Sequence, residues 1–261
     1  MQIIFIAGIF MIIDTHCHIY ASEMENAEEI INEAAKKDIH MILNGTDPLS
    51  NLEVLGLAEK YENVHAALGY LYTFADDVTD EDISLLDEQL ENENVIAVGE
   101  IGLDYYYTKD NRDRQIKLFE KMLCLAEKHG LPVIVHSRKS MQDTYDILKM
   151  HNVRGSMHCY LGSAEMAQQF IKLGFCIGIA GPITHTNNKK TKKMAKNIDI
   201  SHILVETDSP YLTPEEMRGE KNTPLNLKFI IEKLAEELAM TEDEVIEITT
   251  ENAKGLFNLF K

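Results

Sequence analysis

The chain of 261 residues contains 45% hydrophobic and 26% charged residues, an ordinary globular composition. Its 43 acidic residues outnumber 25 basic ones and give a formal net charge of −18. This charge excludes a generally basic protein that coats nucleic acid, although it leaves room for a positive patch inside a cleft. Four scattered cysteines without a CxxC pair predict a reducing, cytoplasmic setting rather than a disulfide scaffold.

The amino terminus carries an apolar run of eleven residues, Ile3 to Ile13. The run is too short for a bilayer, which takes about 20 apolar residues, and it lacks the basic start and cleavage site of a signal peptide. We therefore expect no membrane segment and a buried first strand from Met11. Residues 1–10 are interpreted as an extension that could lie upstream of the true start, and residues 11–261 as one domain.

From Met11 onward, short apolar runs alternate with longer amphipathic ones, a pattern typical of consecutive βα units. Eight strands are predicted, at Met11–His16, Ile39–Asn44, Val64–Gly69, Val95–Glu100, Pro132–His136, Gly155–His158, Phe175–Ile179 and His202–Asp208. Predicted helices include Glu28–Lys37, Leu52–Tyr61, Glu81–Asn92, Arg114–His129, Met141–Met150, Ala164–Leu173, Lys189–Lys196, Leu225–Ala239 and Glu242–Phe260. This series predicts an α/β chain folded as a (β/α)8 TIM barrel. A doubly wound open sheet is the alternative, but no GxGxxG follows the first strand.

Residues that can bind metal recur where the predicted strands end. They are His16, His18, Glu100, His136, His158 and Asp208. Active sites of such barrels lie at the carboxyl ends of the strands, so we expect the six side chains to converge on one face. Because side chains alternate along a strand, two residues that are two positions apart should point the same way, and this applies to three pairs here. The pairs are His16 with His18, His136 with Arg138, and Glu206 with Asp208.

Four imidazoles and two carboxylates are more ligands than one tetrahedral ion needs. With Glu100 as a bridge, the set suits two divalent ions about 3.5–4 Å apart. The alternative is that each is an ordinary core residue, or a helix cap in the case of Asp208. The coincidence of six candidates at strand ends argues against that, since His65, His129 and His151 lie elsewhere.

The motifs around these residues resemble the TatD-type metal-dependent hydrolases. They are Asp14–His18 (DTHCH), Gly99–Tyr105 (GEIGLDY), His136–Arg138 (HSR), His158–Tyr160 (HCY), Glu206–Leu212 (ETDSPYL), Arg218-Gly219, Asn222 and Asn252–Phe257 (NAKGLF). The resemblance runs from about Met11 to Lys261. It implies a (β/α)8 barrel of the amidohydrolase type, in a family that includes divalent-metal deoxyribonucleases.

The resemblance also implies roles for single residues. One metal ion would be held by His16, His18, Glu100 and Asp208, and a second by Glu100, His136 and His158. The ions could be Mg²⁺, Mn²⁺ or Zn²⁺. Asp208 would act as general base toward a water that attacks phosphorus, with Glu100 bridging. The expected partner is nucleic acid as substrate, with 3′ exonuclease action on single-stranded DNA favoured and no obligate protein partner evident.

One segment departs from the family pattern. Where the family often carries G-x-H-P-H, this chain has Gly69–Thr73 (GYLYT), with neither histidine. His185, in the loop after the seventh strand, is a candidate substrate contact that partly compensates, or else an ordinary loop residue. Arg138 is a candidate phosphate clamp, or else part of a structural ion pair.

Two further segments have both a functional and an ordinary interpretation. Lys189–Lys193 could attract a polyanion, although a solvated helix face is the default interpretation. Tyr105–Tyr107 could stack on bases, although packing over the barrel rim is the simpler role.

Two alternative functions remain at this point. The same metal pair could serve an ester, lactone or aminoacyl-tRNA deacylase, because an activated water also attacks carbonyl carbon. A non-catalytic barrel that only binds metal is the second alternative, although the presence of all six candidate ligands argues against it.

Overall fold

The computed structural model describes residues 11–106 and 110–260, so the predicted extension at residues 1–10 lies outside the described part. Within these ranges eight strands form one parallel sheet, paired in chain order from first to last. They are β1 (Ile12–Cys17), β2 (Ile39–Asn44), β3 (Val64–Leu68), β4 (Val95–Asp104), β5 (Val133–Arg138), β6 (Gly155–Met157), β7 (Phe175–Ile179) and β8 (Ile203–Val205). The predicted (β/α)8 barrel is confirmed.

Helices follow the strands around the outside of the barrel. They are α1 (Ala27–Ala35), α2 (Pro48–Lys60), α3 (Asp80–Gln89), α4 (Arg112–His129), α5 (Met141–Leu148), α6 (Ala164–Lys172), α7 (Lys189–Ala195), α8 (Leu227–Leu238) and α9 (Glu242–Phe257). Local sequence sets several ends: the Asp47 carboxylate accepts the amides of Leu49 and Ser50 at the start of α2. No helix in the described ranges is both long and apolar enough to cross a bilayer.

The first and last strands are brought together at their carboxyl ends by the chain that follows β8. The Asp208 amide donates to the His16 carbonyl at 2.9 Å, and the His18 amide donates to the Ser209 carbonyl at 2.6 Å. The buried Asp14 carboxylate accepts the Thr207 amide at 2.9 Å. These bonds join residues of the DTHCH and ETDSPYL motifs that lie more than 190 positions apart in the chain.

Two predicted strand ends are wrong by three residues or more. β4 continues four residues past Glu100, because residues 101–104 pair with 135–138 of β5. β8 stops at Val205, and Asp208 takes a left-handed conformation (φ 55°) that Asp tolerates better than most residues. The strand alternation expected for Glu206 and Asp208 therefore does not hold. Glu206 accepts the Cys159 amide, whereas Asp208 faces His16.

The apolar core has two layers. The larger one fills the space between the strands and the outer helices. The smaller one fills the barrel interior with alternate strand residues such as Ile13, Ile42 and Ile134, and is closed by Leu256 and Phe257 of α9. The interior below the strand ends is thus a packed apolar floor rather than a channel.

At the opposite end of the barrel, the rings of His40 and His65 lie 5.6 Å apart, and Phe260 packs against both. Burial, reinforced by the charge of His40, lowers the pKa of His65 to about 4. His65 is thus neutral in the folded protein at a pH where it is protonated in the unfolded chain. Its contribution to stability is complete above about pH 6.5 and is lost as the pH falls toward 4.

We therefore expect His65→Asn to reduce the acid sensitivity of the fold. Between pH 7 and pH 5 the free energy of unfolding of the variant should fall by about 2 kcal/mol less than that of the wild type. Urea unfolding at the two pH values measures this difference. A loss of stability that is the same at both pH values cancels in the comparison. Equal losses in the two proteins would contradict the assignment.

Candidate metal centre

The six candidate ligands converge on the carboxylate of Glu100. Its Oε1 lies 3.1 Å from both His136 Nδ1 and His158 Nε2. Its Oε2 lies 3.5 Å from His16 Nε2 and 3.4 Å from His18 Nε2. Asp208 Oδ1 completes the group at 3.4 Å from His16 and 3.5 Å from His18. Each oxygen of Glu100 thus faces a different pair of imidazoles.

Different strands supply these side chains, all at the same end of the barrel. His16 and His136 lie close to the carboxyl ends of β1 and β5. His18 and His158 come directly after β1 and β6. All six side chains except that of His16 line the floor of a cavity of about 630 Å³. His16 is fully buried beneath this floor, and Glu100 is only 4% exposed.

The electrostatic balance of the group favours added positive charge. Burial opposes ionisation of Glu100, but the charge of His158 and contacts with three imidazoles outweigh it and hold the pKa of the carboxyl well below its usual value. The pKa of Asp208 is lowered in the same way, since His16 and His18 outweigh burial. Conversely, burial would lower the pKa of His18, but the two carboxylates raise it to about 10. Two buried, ionised carboxylates therefore draw cationic charge to this point.

Bound metal ions fit this donor set. Ligand bonds of 2.0–2.2 Å at right or tetrahedral angles place neighbouring ligand atoms about 2.8–3.6 Å apart. The separations around Glu100 and Asp208 are 3.1–3.5 Å. His16 Nε2 and His18 Nε2 face each other at 3.1 Å, an arrangement that needs a cation or a shared proton between the two nitrogens.

Outer partners orient two of the imidazoles toward Glu100. His18 Nδ1 lies 2.9 Å from the Asn44 carbonyl, and His136 Nε2 lies 3.2 Å from Asp104 Oδ2. When the outer nitrogen donates to such a partner, the inner nitrogen is left as the metal-binding atom. His16 Nδ1 and His158 Nδ1 find no hydrogen-bond partner among the described residues, although Glu206 Oε1 lies 3.7 Å from the latter. The rings of His16 and His158 stack on each other, with their centroids 3.9 Å apart.

Sequence reasoning missed the role of Asp104. Its signal was present in the GEIGLDY motif, but β4 was predicted to end before it. Asp104 is fixed from both sides, because its backbone pairs with the Gln115 side chain and its carboxylate also accepts the Tyr106 amide at 2.7 Å. This anchorage makes it a rigid acceptor for the His136 ring.

We expect Asp104→Asn to weaken metal binding about 10–100-fold, the usual effect of removing a charged partner of a metal-binding histidine. The amide can still accept from His136, so the ring stays in place while the imidazole becomes less basic. Calorimetric metal titration measures the change, with the exposed Asp77→Asn as matched control. An Asp104→Asn affinity equal to that of the control would show that the contact has no role in binding.

The two predicted substrate contacts lie in different places. Arg138 lines the cavity, with its guanidinium 3.8 Å from the centre of the Tyr106 ring. His185 Nε2 lies 3.0 Å from the Thr213 carbonyl, and His185 is not among the described residues that line the cavity. Its substrate contact stays a prediction.

The altered segment Gly69–Thr73 contributes directly to the cavity wall. Leu71, Tyr72 and Thr73 line it, and the Tyr72 ring lies 5.4 Å from that of His136. Tyr70 points away, with its hydroxyl bonded to the Asp82 carbonyl. Tyrosines not singled out from the sequence, Tyr20 and Tyr211, line the cavity as well.

Two further segments, Tyr105–Tyr107 and Lys189–Lys193, had both a functional and a structural interpretation, and they lie at the rim of the cavity or outside it. Tyr105 is buried and its hydroxyl donates to Asp143, Tyr106 is 56% exposed, and Tyr107 is outside the described residues. The lysines of Lys189–Lys193 lie on α7, where Lys190 donates to the Leu161 carbonyl. None of them is among the described residues that line the cavity.

The barrel and its buried donor cluster together define a metal-dependent hydrolase. The family model described as TatD related DNase matches residues 13–258. The chain is 39% identical over 254 residues to the uncharacterized metal-dependent hydrolase YabD of Bacillus subtilis, covering 95% of this chain and 100% of that protein. It is 35% identical to the uncharacterized metal-dependent hydrolase MJ1582 of Methanocaldococcus jannaschii, covering 94% and 96%.

Solved structures agree with the sequence matches. The crystal structure of YjjV, a TatD homologue from Escherichia coli K12, matches with a TM-score of 0.90 and 32% identity, covering 96% of this chain and 99% of that one. A TatD family hydrolase from Entamoeba histolytica matches at a TM-score of 0.84 and 20% identity, covering 95% and 98%, which is a likeness of fold alone. The chain belongs to the TatD family of metal-dependent hydrolases.

Proposed function

We propose that the protein is a divalent-metal-dependent deoxyribonuclease that removes nucleotides from the 3′ end of single-stranded DNA. The observation that carries this proposal is the convergence of four imidazoles and two carboxylates on the floor of an open cavity that Arg138 also lines. Membership of a family described as TatD related DNase supports it. Residues 11–261 would form the catalytic domain.

In this proposal the donor set would hold two divalent ions, with Glu100 as a ligand of both. His16, His18 and Asp208 would complete one site, and His136 and His158 the other. When bound, the ions supply an activated water and neutralise charge that builds up on the scissile phosphate. The protein's own contribution is to hold both sites rigidly, through the outer partners of the imidazoles.

Asp208 is the proposed general base. Its carboxylate lies at the cavity surface beside His16 and His18, within reach of a water at the centre, and it is ionised at neutral pH, the form that accepts a proton. Arg138 is the proposed phosphate clamp, because its planar guanidinium matches two phosphate oxygens and the Tyr106 ring supports it.

The shape of the cavity favours a strand end. At about 630 Å³ it is the size of a small-molecule pocket, so it accepts a terminal nucleotide rather than a duplex. Tyr20, Tyr72 and Tyr211 in its wall offer aromatic faces, and base–aromatic stacking is worth about 1–3 kcal/mol per base. These features support a single-stranded substrate held by its last bases.

A second candidate function is hydrolysis of a carboxylic ester, a lactone or an aminoacyl-tRNA on the same centre. It is favoured by the cavity wall, where Leu71 and Thr73 stand at the two positions at which the family often has histidines. Arg138 is also the only lysine or arginine among the described residues of the cavity lining, which suits a less charged substrate as well.

The experiment that separates the two candidates is a metal-replete assay across substrates. We expect 5′-labelled single-stranded DNA to shorten progressively, EDTA to abolish the reaction, and Mg²⁺ or Mn²⁺ to restore it. RNA, duplex DNA and an aminoacyl ester should be turned over more slowly. DNA hydrolysis that is indifferent to chelation would contradict the proposal, and preferred turnover of the ester would establish the second candidate.

Arg138→Ala supplies an internal control for substrate class in the same assay. Losing a charge-assisted phosphate contact should lower kcat/KM on DNA about 10–100-fold. Turnover of a neutral ester should change much less, because it has no phosphate to clamp. Equal effects on both substrates would mean that Arg138 supports the cavity rather than the phosphate.

A further inference from the structure

A second group of metal-binding atoms lies on the outside of the barrel. Cys124, Glu127 and His151 each offer a ligand atom, and the three atoms lie within 4.8 Å of one another. Cys124 and Glu127 share a face of α4, because they are three residues apart. His151 lies in the segment between α5 and β6.

Two of the three groups are already held in place. Glu127 Oε1 accepts the backbone amide of Asn152 at 2.6 Å, and its Oε2 lies 3.2 Å from His151 Nδ1. The turn that carries His151 is closed by a bond from its amide to the Leu148 carbonyl at 3.1 Å. The carboxylate and the imidazole thus meet without further rearrangement, and the exposed Cys124 lies beside them.

We propose that Cys124, Glu127 and His151 bind one Zn²⁺ ion, with water in the fourth position. A thiolate, an imidazole and a carboxylate form the mixed sulfur, nitrogen and oxygen set that zinc accepts. Tetrahedral zinc requires its sulfur and nitrogen ligands to be about 3.5 Å apart, a distance that rotation of the exposed Cys124 side chain can provide. On binding, the thiol forms a bond to zinc and releases its proton to solvent.

The position of this site defines its role. The end of α4 and the start of β6 belong to the barrel face opposite the strand ends that carry Glu100. The ion would therefore tie α4 to the segment before β6 without contacting the cavity. This zinc site is structural and independent of the hydrolytic proposal.

Cobalt provides the test, because a Co²⁺–thiolate bond absorbs in the near ultraviolet and imidazole or carboxylate ligands do not produce this band. Metal-free protein is titrated with Co²⁺, and the wild type is compared with Cys124→Ser, His151→Gln and Cys176→Ser. Cys17 and Cys159, which lie near the candidate metal centre, are retained in every variant. Any band that they produce therefore persists in Cys124→Ser.

We expect a band in the wild type whose saturated intensity corresponds to one thiolate-bound Co²⁺ per chain, whatever further Co²⁺ the centre around Glu100 takes up, and that Zn²⁺ removes by displacement. Cys124→Ser should lose the band, His151→Gln should need at least about tenfold more Co²⁺ to reach it, and Cys176→Ser should keep it. Metal analysis after Zn²⁺ loading should show one ion fewer in Cys124→Ser. Absence of the band in the wild type, or its persistence in Cys124→Ser, would overturn the proposal.

Discussion

Replacing Asp208 with Asn is expected to lower kcat/KM for metal-dependent DNA hydrolysis by about 10³-fold or more. The amide keeps the shape of the side chain but cannot accept the proton of the attacking water. It also removes one of the two negative charges that His16 and His18 face. Initial rates on end-labelled single-stranded DNA, at saturating Mn²⁺, measure the change.

Two controls make this result specific. Asp77→Asn carries the same chemical change at an exposed position and should behave as the wild type. Metal titration of Asp208→Asn shows whether the loss arises from weaker binding or from a slower chemical step at full occupancy. An Asp208→Asn enzyme that keeps wild-type turnover would remove Asp208 from the catalytic assignment.

Replacing Glu100 with Gln should have the widest effect on the centre. Both of its oxygens are used, Oε1 between His136 and His158 and Oε2 between His16 and His18. The neutral amide takes a buried negative charge from both proposed sites at once. We expect activity to fall about 10³-fold or more and the metal bound at this centre to fall from two ions per chain to one or none.

Elemental analysis of the purified variant, beside the exposed Glu62→Gln as matched control, checks this expectation. Circular dichroism should show a folded barrel in both variants, since Gln fits the volume of Glu. Full metal occupancy in Glu100→Gln would exclude a bridging role for this carboxylate.

The barrel itself was accessible from sequence because each βα unit repeats the same physical pattern. An apolar strand is buried on both faces, and an amphipathic helix covers it. The errors arose where pairing rather than composition sets the strand length. Gly102 illustrates this, because a Cβ atom there would meet the His136 carbonyl oxygen at 2.1 Å, and the close approach of β4 and β5 depends on glycine. In the sequence, however, a glycine interrupts the apolar pattern that predicts a strand.

The candidate ligands were predictable and their outer partners were not. Histidines and carboxylates at strand ends must converge in a barrel, so six positions could be named without coordinates. Which groups support them depends on contacts between distant segments. Asn44 reaches His18 through its backbone carbonyl, which carries no sequence signal, and Asp104 reaches His136 only because β4 is longer than its apolar pattern indicates.

The apolar floor beneath the strand ends has a consequence for turnover. Ile13, Ile42 and Ile134 fill the interior, and Phe257 closes it from below, so the described part of the chain leaves the donor cluster open toward the mouth. A product must leave through the same cavity mouth by which the next substrate enters. We therefore expect product in the cavity to exclude substrate, so that added product inhibits competitively.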